Sequence, residues 1–368
     1  MSPRVLHVVA TGERRGAEVF AGDLVGALDG EIEQRVAILR AEGAPEVPYA
    51  APVDMLAPTS RPLPGIRVDP RMVRRLRAII EDWRPRVVQV HGGEPLKHAL
   101  LARAGAPVVY RKIGLAAPRA TRAPFRFGHE RLIRRTSRIV AVAEAVRREA
   151  IDMFGAAEDR VVTIPNAVDP GRLANGATRE HLRRELGIGR TEPVILSLGA
   201  LTWEKDPLAH VEVAARAIRR VPGARHLIVG EGPLRADLEE AVDRAGLRGR
   251  VRLLGSRADV ASLLRAADVL LLASRTEGMP GCVIEAGLIG TPTAGYAVAG
   301  LAEVVSDGET GLLASPGDVE GLSDRVVQLL NHEELRLRLG AAASERSRPF
   351  TIDRVAPRYA ELYQDVAR

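Results

Sequence analysis

Residues 277 to 285 read EGMPGCVIE and set one carboxylate at each end of a turn built from glycine and proline. The run before them, ADVLLLAS (267 to 274), is apolar in the manner of a buried parallel strand, and VIEAGLIG after them suits a helix packed on that strand. Strand, turn and helix in that order aim free backbone N–H groups and the positive end of the helix dipole at whatever lies beyond the strand's carboxyl end. A phosphate fits such a place. Glu277 on the turn and Glu285, about two helical turns further on, can then accept hydrogen bonds from hydroxyls on either side of it. The plain alternative makes Glu277 a cap of the turn and Glu285 a solvated helix residue, and these nine residues alone do not choose between the two.

Other residues with chemical capacity also stand where strands end. Lys205 follows PVILSLGAL in the loop GALTWEKD, and only Lys97, Lys112 and Lys205 are lysines among 53 basic residues. A compact ammonium at a strand's carboxyl end suits a phosphate, although an exposed loop lysine reads the same way. His91 ends VQVH, and the two glycines after it leave its ring room to meet a ligand; a structural histidine is the alternative. Gly12 and Gly16, in TGERRG after the run VLHVVA, either let the backbone approach a ligand or only permit a tight turn. Cys282, the single cysteine, excludes an intramolecular disulfide, is compatible with a reducing compartment, and reads as a packing residue. The chain has no Cys/His cluster with metal-ligand spacing, no GxSxG elbow and no P-loop. GEG in LIVGEGP lacks the third glycine of a dinucleotide loop.

At 368 residues, 46% hydrophobic and 27% charged, the chain is long enough for two domains. Its net charge of +6 is uneven: residues 1 to 168 hold 27 Arg and Lys against 19 Asp and Glu, and the remainder is slightly acidic. The excess concentrates in Arg111, Lys112, Arg119, Arg122, Arg126, Arg131, Arg134, Arg135 and Arg138, which in that stretch face only Glu130. Such a cluster suits an anionic membrane surface, a phosphorylated acceptor or nucleic acid, and equally a solvated face. With 3% aromatic residues and no stacking platform between the arginines, single-stranded nucleic acid is a poor fit. The longest apolar region, residues 279 to 305, is interrupted by Pro280, Glu285, Pro292 and Glu303, and VLHVVA is too short for a signal peptide. The expectation is a cytoplasmic protein, with peripheral attachment to the inner face of the membrane through residues 111 to 138 as its extension.

Two successive α/β runs must position these residues. In the first, PRVLHVVA, QRVAIL, RVVQVHG, APVVYRK, SRIVAVA and DRVVTIP read as strands, with helices at about 70 to 82, 95 to 104, 128 to 136 and 144 to 154. IPNAVDPGRL (164 to 173), with two prolines, reads as the interdomain connection, and the polar stretch around Arg179 and Arg183 as a surface helix. The second run gives PVILSLGAL, ARHLIVG, VRLLGS, ADVLLLAS, TPTAGY and GLLAS as strands between helices, and residues 351 to 368 as a last amphipathic helix. Strands alternating with helices predict two Rossmann-like, doubly wound parallel sheets, which bind ligands beyond the carboxyl ends of their strands.

In this order and spacing, RGAE (15 to 18), the VH of VQVHGG, IPNAVD, LSLGALTWEKD, LIVGEGPL, AADVLLLASRTEGMPGCVIEAGLIGTP, AGLAEVVSDGETGLL and SPGD resemble the family 4 (group 1) glycosyltransferases of the GT-B fold. The resemblance spans almost the whole chain and includes that family's two glutamates separated by seven residues. It implies two Rossmann-like domains facing a cleft: residues 1 to 168 for the acceptor, residues 169 to 348 for the nucleotide sugar, and a helix at 349 to 368 crossing back to the first. It implies transfer of a hexosyl or N-acetylhexosaminyl group from a UDP or GDP sugar, with retention and without a bound metal or cofactor. The acceptor would be a glycan, a lipid-linked or a small-molecule acceptor, in cell-envelope or polysaccharide biosynthesis. By the same resemblance Glu285 holds the donor ribose, Glu277 and the backbone of Gly278, Met279, Pro280, Gly281 and Cys282 hold sugar and phosphates, and Lys205 neutralises the diphosphate. Gly16 lets the first loop approach it, His91 faces the donor sugar, and Arg257 contacts the base through its backbone. Arg15, Arg111, Lys112, Arg119 and Arg122 fall on the acceptor or membrane side. Ala200 stands where the family usually carries an arginine, which raises the alternative of a catalytically weak sugar-nucleotide-binding partner subunit. Arg15, where a second glycine is common, would compensate by reaching the diphosphate.

Overall fold

The computed structural model describes residues 3–60, 68–102, 105–116, 123 and 125–368; Arg119 and Arg122 lie outside the described residues. It divides into two compact units, one of residues 1–167 with 352–368 and one of residues 168–351.

The first unit is built on a seven-stranded sheet of β1 (Arg4–Thr11), β2 (Glu33–Arg40), β3 (Val53–Ala57), β4 (Val87–His91), β5 (Val108–Lys112), β6 (Arg138–Ala141) and β7 (Val161–Thr163). All the pairings are parallel, in the order β3-β2-β1-β4-β5-β6-β7. β4 and β5 are buried along their whole length, as apolar runs covered on both faces must be. β3 has no counterpart in the sequence reading because VDMLA is a half-exposed edge strand without an apolar run. The helix predicted at 144 to 154 forms as two pieces, Glu144–Arg148 and a π-helical turn Glu149–Met153. The closing helix Ile352–Val366 packs Ile352, Val355, Tyr359 and Tyr363 into the same core as Phe20, Leu24, Val87 and Val109. Tyr363 donates to Gln89 Oε1 at 3.1 Å, which satisfies a hydroxyl that burial would otherwise penalise.

The second unit carries β8 (Val194–Leu198), β9 (Arg225–Val229), β10 (Val251–Leu253), β11 (Val269–Leu272), β12 (Thr293–Tyr296) and β13 (Gly311–Ala314). These pair in parallel in the order β10-β9-β8-β11-β12-β13. The helix Arg179–Glu185 is not the free surface helix its polarity suggested. Arg183 is buried, and both Arg179 and Arg183 reach Asp268 just before β11, at 2.7 and 2.9 Å, so two charges pin the helix to the sheet.

Each sheet reverses its winding once, between β1 and β4 in the first unit and between β8 and β11 in the second. Neighbouring strands there send their following loops to opposite faces, which opens a crevice at their carboxyl ends. The RGAE loop follows β1 and His91 ends β4; the Lys205 loop follows β8 and Glu277 follows β11.

Candidate functional site

The second unit brings Lys205 and Glu277 together at its switch point. Lys205 Nζ lies 2.7 Å from both Glu277 oxygens, with the carboxylate side chain buried and the lysine 30% exposed. Burial is the largest single influence and lowers the ammonium's pKa, but the Glu277 charge and hydrogen bond together with other neighbouring negative charges outweigh it and hold Lys205 above the ordinary lysine value. An ammonium has three N–H donors, and this pairing engages two of them.

Glycines set the two loops. A Cβ on Gly230 would stand 1.9 Å from the Gly199 carbonyl oxygen and one on Gly232 2.5 Å from that of Leu201, so GEG serves close packing of β9 on the Lys205 loop. Leu201 N–H donates to Glu231 O at 2.9 Å across the same contact. On the other loop, a Cβ on Gly300 would fall 1.6 Å from the Gly278 oxygen, so the short helix Ala299–Ala302 can back the Glu277 turn only with glycine there. The turn enters the helix Gly281–Ile289 through Pro280, whose side chain caps nothing, so the first N–H groups of that helix have no N-cap side chain. Gly278, Met279 and Pro280 are buried, and burial pushes the Cys282 thiol up to about 12, which fits the packing role read from the sequence.

Glu285 lies on the same helix, with its side chain 12% exposed, and is not the solvated residue of the plain alternative. Arg172 Nη1 stands 3.3 Å from its Oε1. Arg172 went unnoticed because a pairing across 113 positions leaves no local signal. Arg257, beyond the edge strand β10, spends its guanidinium on both oxygens of Asp259, at 2.7 and 2.6 Å. No basic side chain occupies position 200.

In the first unit, a Cβ on Gly12 would clash with Ala41 at 2.9 Å, whereas one on Gly16 would meet nothing within 4 Å. Packing therefore requires glycine at 12 and not at 16. Arg15 is exposed and pairs with Glu13 at 2.5 Å. His91 is only 2% exposed, its Nε2 is 3.3 Å from His7 Nδ1, and its Nδ1 has no partner among the described residues. Burial, with His7 and Arg111 adding to it, lowers the pKa of His91 well below the usual value and keeps the ring neutral.

The membrane-side reading of Arg111 and Lys112 is corrected by burial. Each is 2% exposed: Arg111 lies over the Phe20 ring at 3.6 Å and donates to Asn166 at 2.8 Å, and Lys112 pairs with Glu149 and donates to Gly114 O at 2.7 Å. Charged groups held inside the domain cannot lie against lipid headgroups. Two cations of the stretch find carboxylates outside it, Arg138 pairing with Asp365 at 3.2 Å and Lys112 with Glu149.

Two family models match, one on each run of strands: the Glycosyltransferase Family 4 model over residues 14–172 and the Glycosyl transferases group 1 model over residues 178–346. The chain belongs to the group 1 glycosyltransferases. It is 30% identical to the N-acetyl-alpha-D-glucosaminyl L-malate synthase of Bacillus anthracis over 244 residues, 66% of this chain and 62% of that protein. It is 31% identical to the D-inositol 3-phosphate glycosyltransferase of Nocardia farcinica (strain IFM 10152) over 295 residues, 77% of this chain and 62% of that protein. The chain thus spans less than two thirds of either relative. Among solved structures, Anabaena HepE in complex with UDP and glucose superposes with a TM-score of 0.83 at 20% identity, over 99% of this chain and 100% of that one. That likeness carries the fold, two Rossmann-like parallel-sheet domains.

Proposed function

We propose that this glycosyltransferase-family chain moves a sugar from a nucleoside diphosphate sugar, UDP or GDP, to a hydroxyl acceptor, with retention and without a metal. The observation that carries the reading is the Lys205–Glu277 pair beside the uncapped helix Gly281–Ile289, at the point where the second sheet reverses. Departure of a nucleoside diphosphate builds negative charge at the leaving oxygens. Lys205 and the helix N-terminus offer fixed positive charge there, worth more as the bond breaks than before it. They supply the stabilisation that a divalent cation gives in other transferases. Glu285, held by Arg172, clasps the ribose hydroxyls, and Glu277 accepts from the sugar. The site's nucleophilic side chains are engaged: Glu277 pairs with Lys205, Glu285 with Arg172, and burial pushes the Cys282 thiol up to about 12. The acceptor hydroxyl therefore attacks on the face the diphosphate leaves.

HepE is described in complex with UDP and glucose, which supports a UDP sugar as the first donor to try. The relatives named for L-malate and D-inositol 3-phosphate support a small hydroxylated, anionic acceptor. The test is a thermal-shift panel of UDP, GDP and ADP sugars on the purified chain, followed by turnover with EDTA present. Binding to the folded state stabilises it by RT ln(1 + [L]/Kd), about 2.7 kcal/mol at a hundredfold excess over Kd, and so raises the midpoint. One nucleotide series is expected to shift the midpoint and to be turned over unchanged in EDTA. No shift with any of them, or turnover abolished by EDTA, contradicts the reading.

A further inference from the structure

The geometry points to His210 as a positioning residue for the Lys205–Glu277 pair, holding the end of β8 to the end of β11. This inference rests on the donor reading of that pair. His210 lies in the first turn of the helix Pro207–Arg220, just after the Lys205 loop, and is buried. Its Nε2 accepts the backbone N–H of Ala273 at 2.9 Å, one residue past β11 and four before Glu277. An amide N–H can only donate, so Nε2 carries no proton and the neutral ring keeps its proton on Nδ1. His210 is itself tied to the Lys205 loop: its backbone N–H donates to the O of Asp206, the residue after Lys205, at 3.4 Å. One buried residue therefore links the two loops whose side chains meet at Nζ and the Glu277 carboxylate, its ring on the Ala273 side and its backbone on the Lys205 side.

The ring must stay neutral for this, because a protonated Nε2 would face the Ala273 N–H donor to donor. Burial first, then the Lys205 charge, pushes its pKa down to about 3, so the bridge is intact at any working pH. Two further ties join the same loops from the surface. Arg275 N–H donates to Glu204 O at 2.9 Å, and the Arg275 side chain pairs with Asp206 at 2.8 Å. Asp206 holds a left-handed backbone, φ 45°, immediately after Lys205, a strained conformation for a residue with a Cβ. A loop strained next to its functional lysine needs fixing from below, and His210 is the buried group that reaches both sides.

The experiment is a double-mutant cycle on the full chain, read as UDP affinity by calorimetry and as donor KM and kcat. His210→Leu is expected to weaken UDP binding about tenfold in the parent, and less than about twofold in a Lys205→Ala background, since residues acting through one another are not additive. His210→Gln puts an amide oxygen where Nε2 accepts, and is expected to recover about half of that loss, a rescue that simple cavity filling by leucine does not give. An equal penalty in both backgrounds overturns the positioning role, as does an unchanged affinity in His210→Leu. If His210→Leu does not fold, the cycle is run with His210→Gln: a loss of about threefold confined to the parent supports the role, and an equal loss or none overturns it. Lys205→Ala that binds UDP as well as the parent instead removes the donor reading itself, and with it the reason for His210 to act.

Discussion

Burial of titratable groups next to ligand-facing loops makes the behaviour of single residues measurable. Glu18, on the first turn of the helix Gly16–Ala27, is 3% exposed and accepts the Thr11 N–H at 3.3 Å. Burial raises its pKa to about 7 against contributions from backbone donors and Arg15 that lower it. Because the folded value lies above the unfolded one, the favourable state is fully present below about pH 4.5, and stability is lost as pH rises through 7. Glu18→Gln keeps the accepting oxygen and removes the charge. Its unfolding free energy is expected to exceed the parent's at pH 8 by about 3 kcal/mol and to come close to it near pH 4.5, at about 1.4 kcal/mol per pKa unit; equal stabilities at pH 8 would contradict the assignment. Lys205 was visible in the sequence because lysine is rare here and it follows an apolar strand. Arg172 and His210 were not, because each gains meaning only from a partner many positions away.

At the scale of elements, the strands most legible in sequence are those buried along their length, where burial forces a continuous apolar run, as in VILSL and VLLL, although the part-exposed edge strands β7 and β10 were read as well. β3 escaped because half of it meets solvent. The turn 277–280 was legible as strand, turn and helix, but what holds it in place was not. AGLAEVV reads as an ordinary apolar stretch, and only the fold shows Gly300 pressed against the Glu277 and Gly278 carbonyls. A methyl group at position 300 has no room. Gly300→Ala is expected to displace the turn and lower kcat/KM at least about a hundredfold while costing about 1–3 kcal/mol of stability, the usual range for overpacking. Full activity in that variant would show that the turn does not need this backing. The same Gly-for-contact logic separates Gly12 from Gly16, since only the former is demanded by packing.

Across the whole molecule, the winding of each unit follows from alternating strands and helices joined by right-handed crossovers, and it fixes where chemistry can occur before any side chain is considered. The charge asymmetry of the sequence has a different meaning in the structure from the one its clustering suggested. Arg111 and Lys112 are interior charges that tie the first sheet to Asn166 and to the turn at Glu149, while Arg126, Arg131, Arg134 and Arg135 remain exposed. Local sequence cannot make that distinction, because burial of a charge depends on which elements close over it. The closing helix Ile352–Val366 shows its apolar stripe in sequence, but the core it completes, with Phe20 and Val109, lies more than two hundred positions earlier. The central claim is that a nucleoside diphosphate binds at Lys205 and the turn of the second unit. Calorimetric titration of the full chain and of Lys205→Ala with UDP and with GDP tests it most directly: saturable binding of one of them to the parent, weakened at least about tenfold in the variant, about 1.4 kcal/mol, is the expected result. Equal affinity of parent and Lys205→Ala for that nucleotide, or binding of neither, would contradict it.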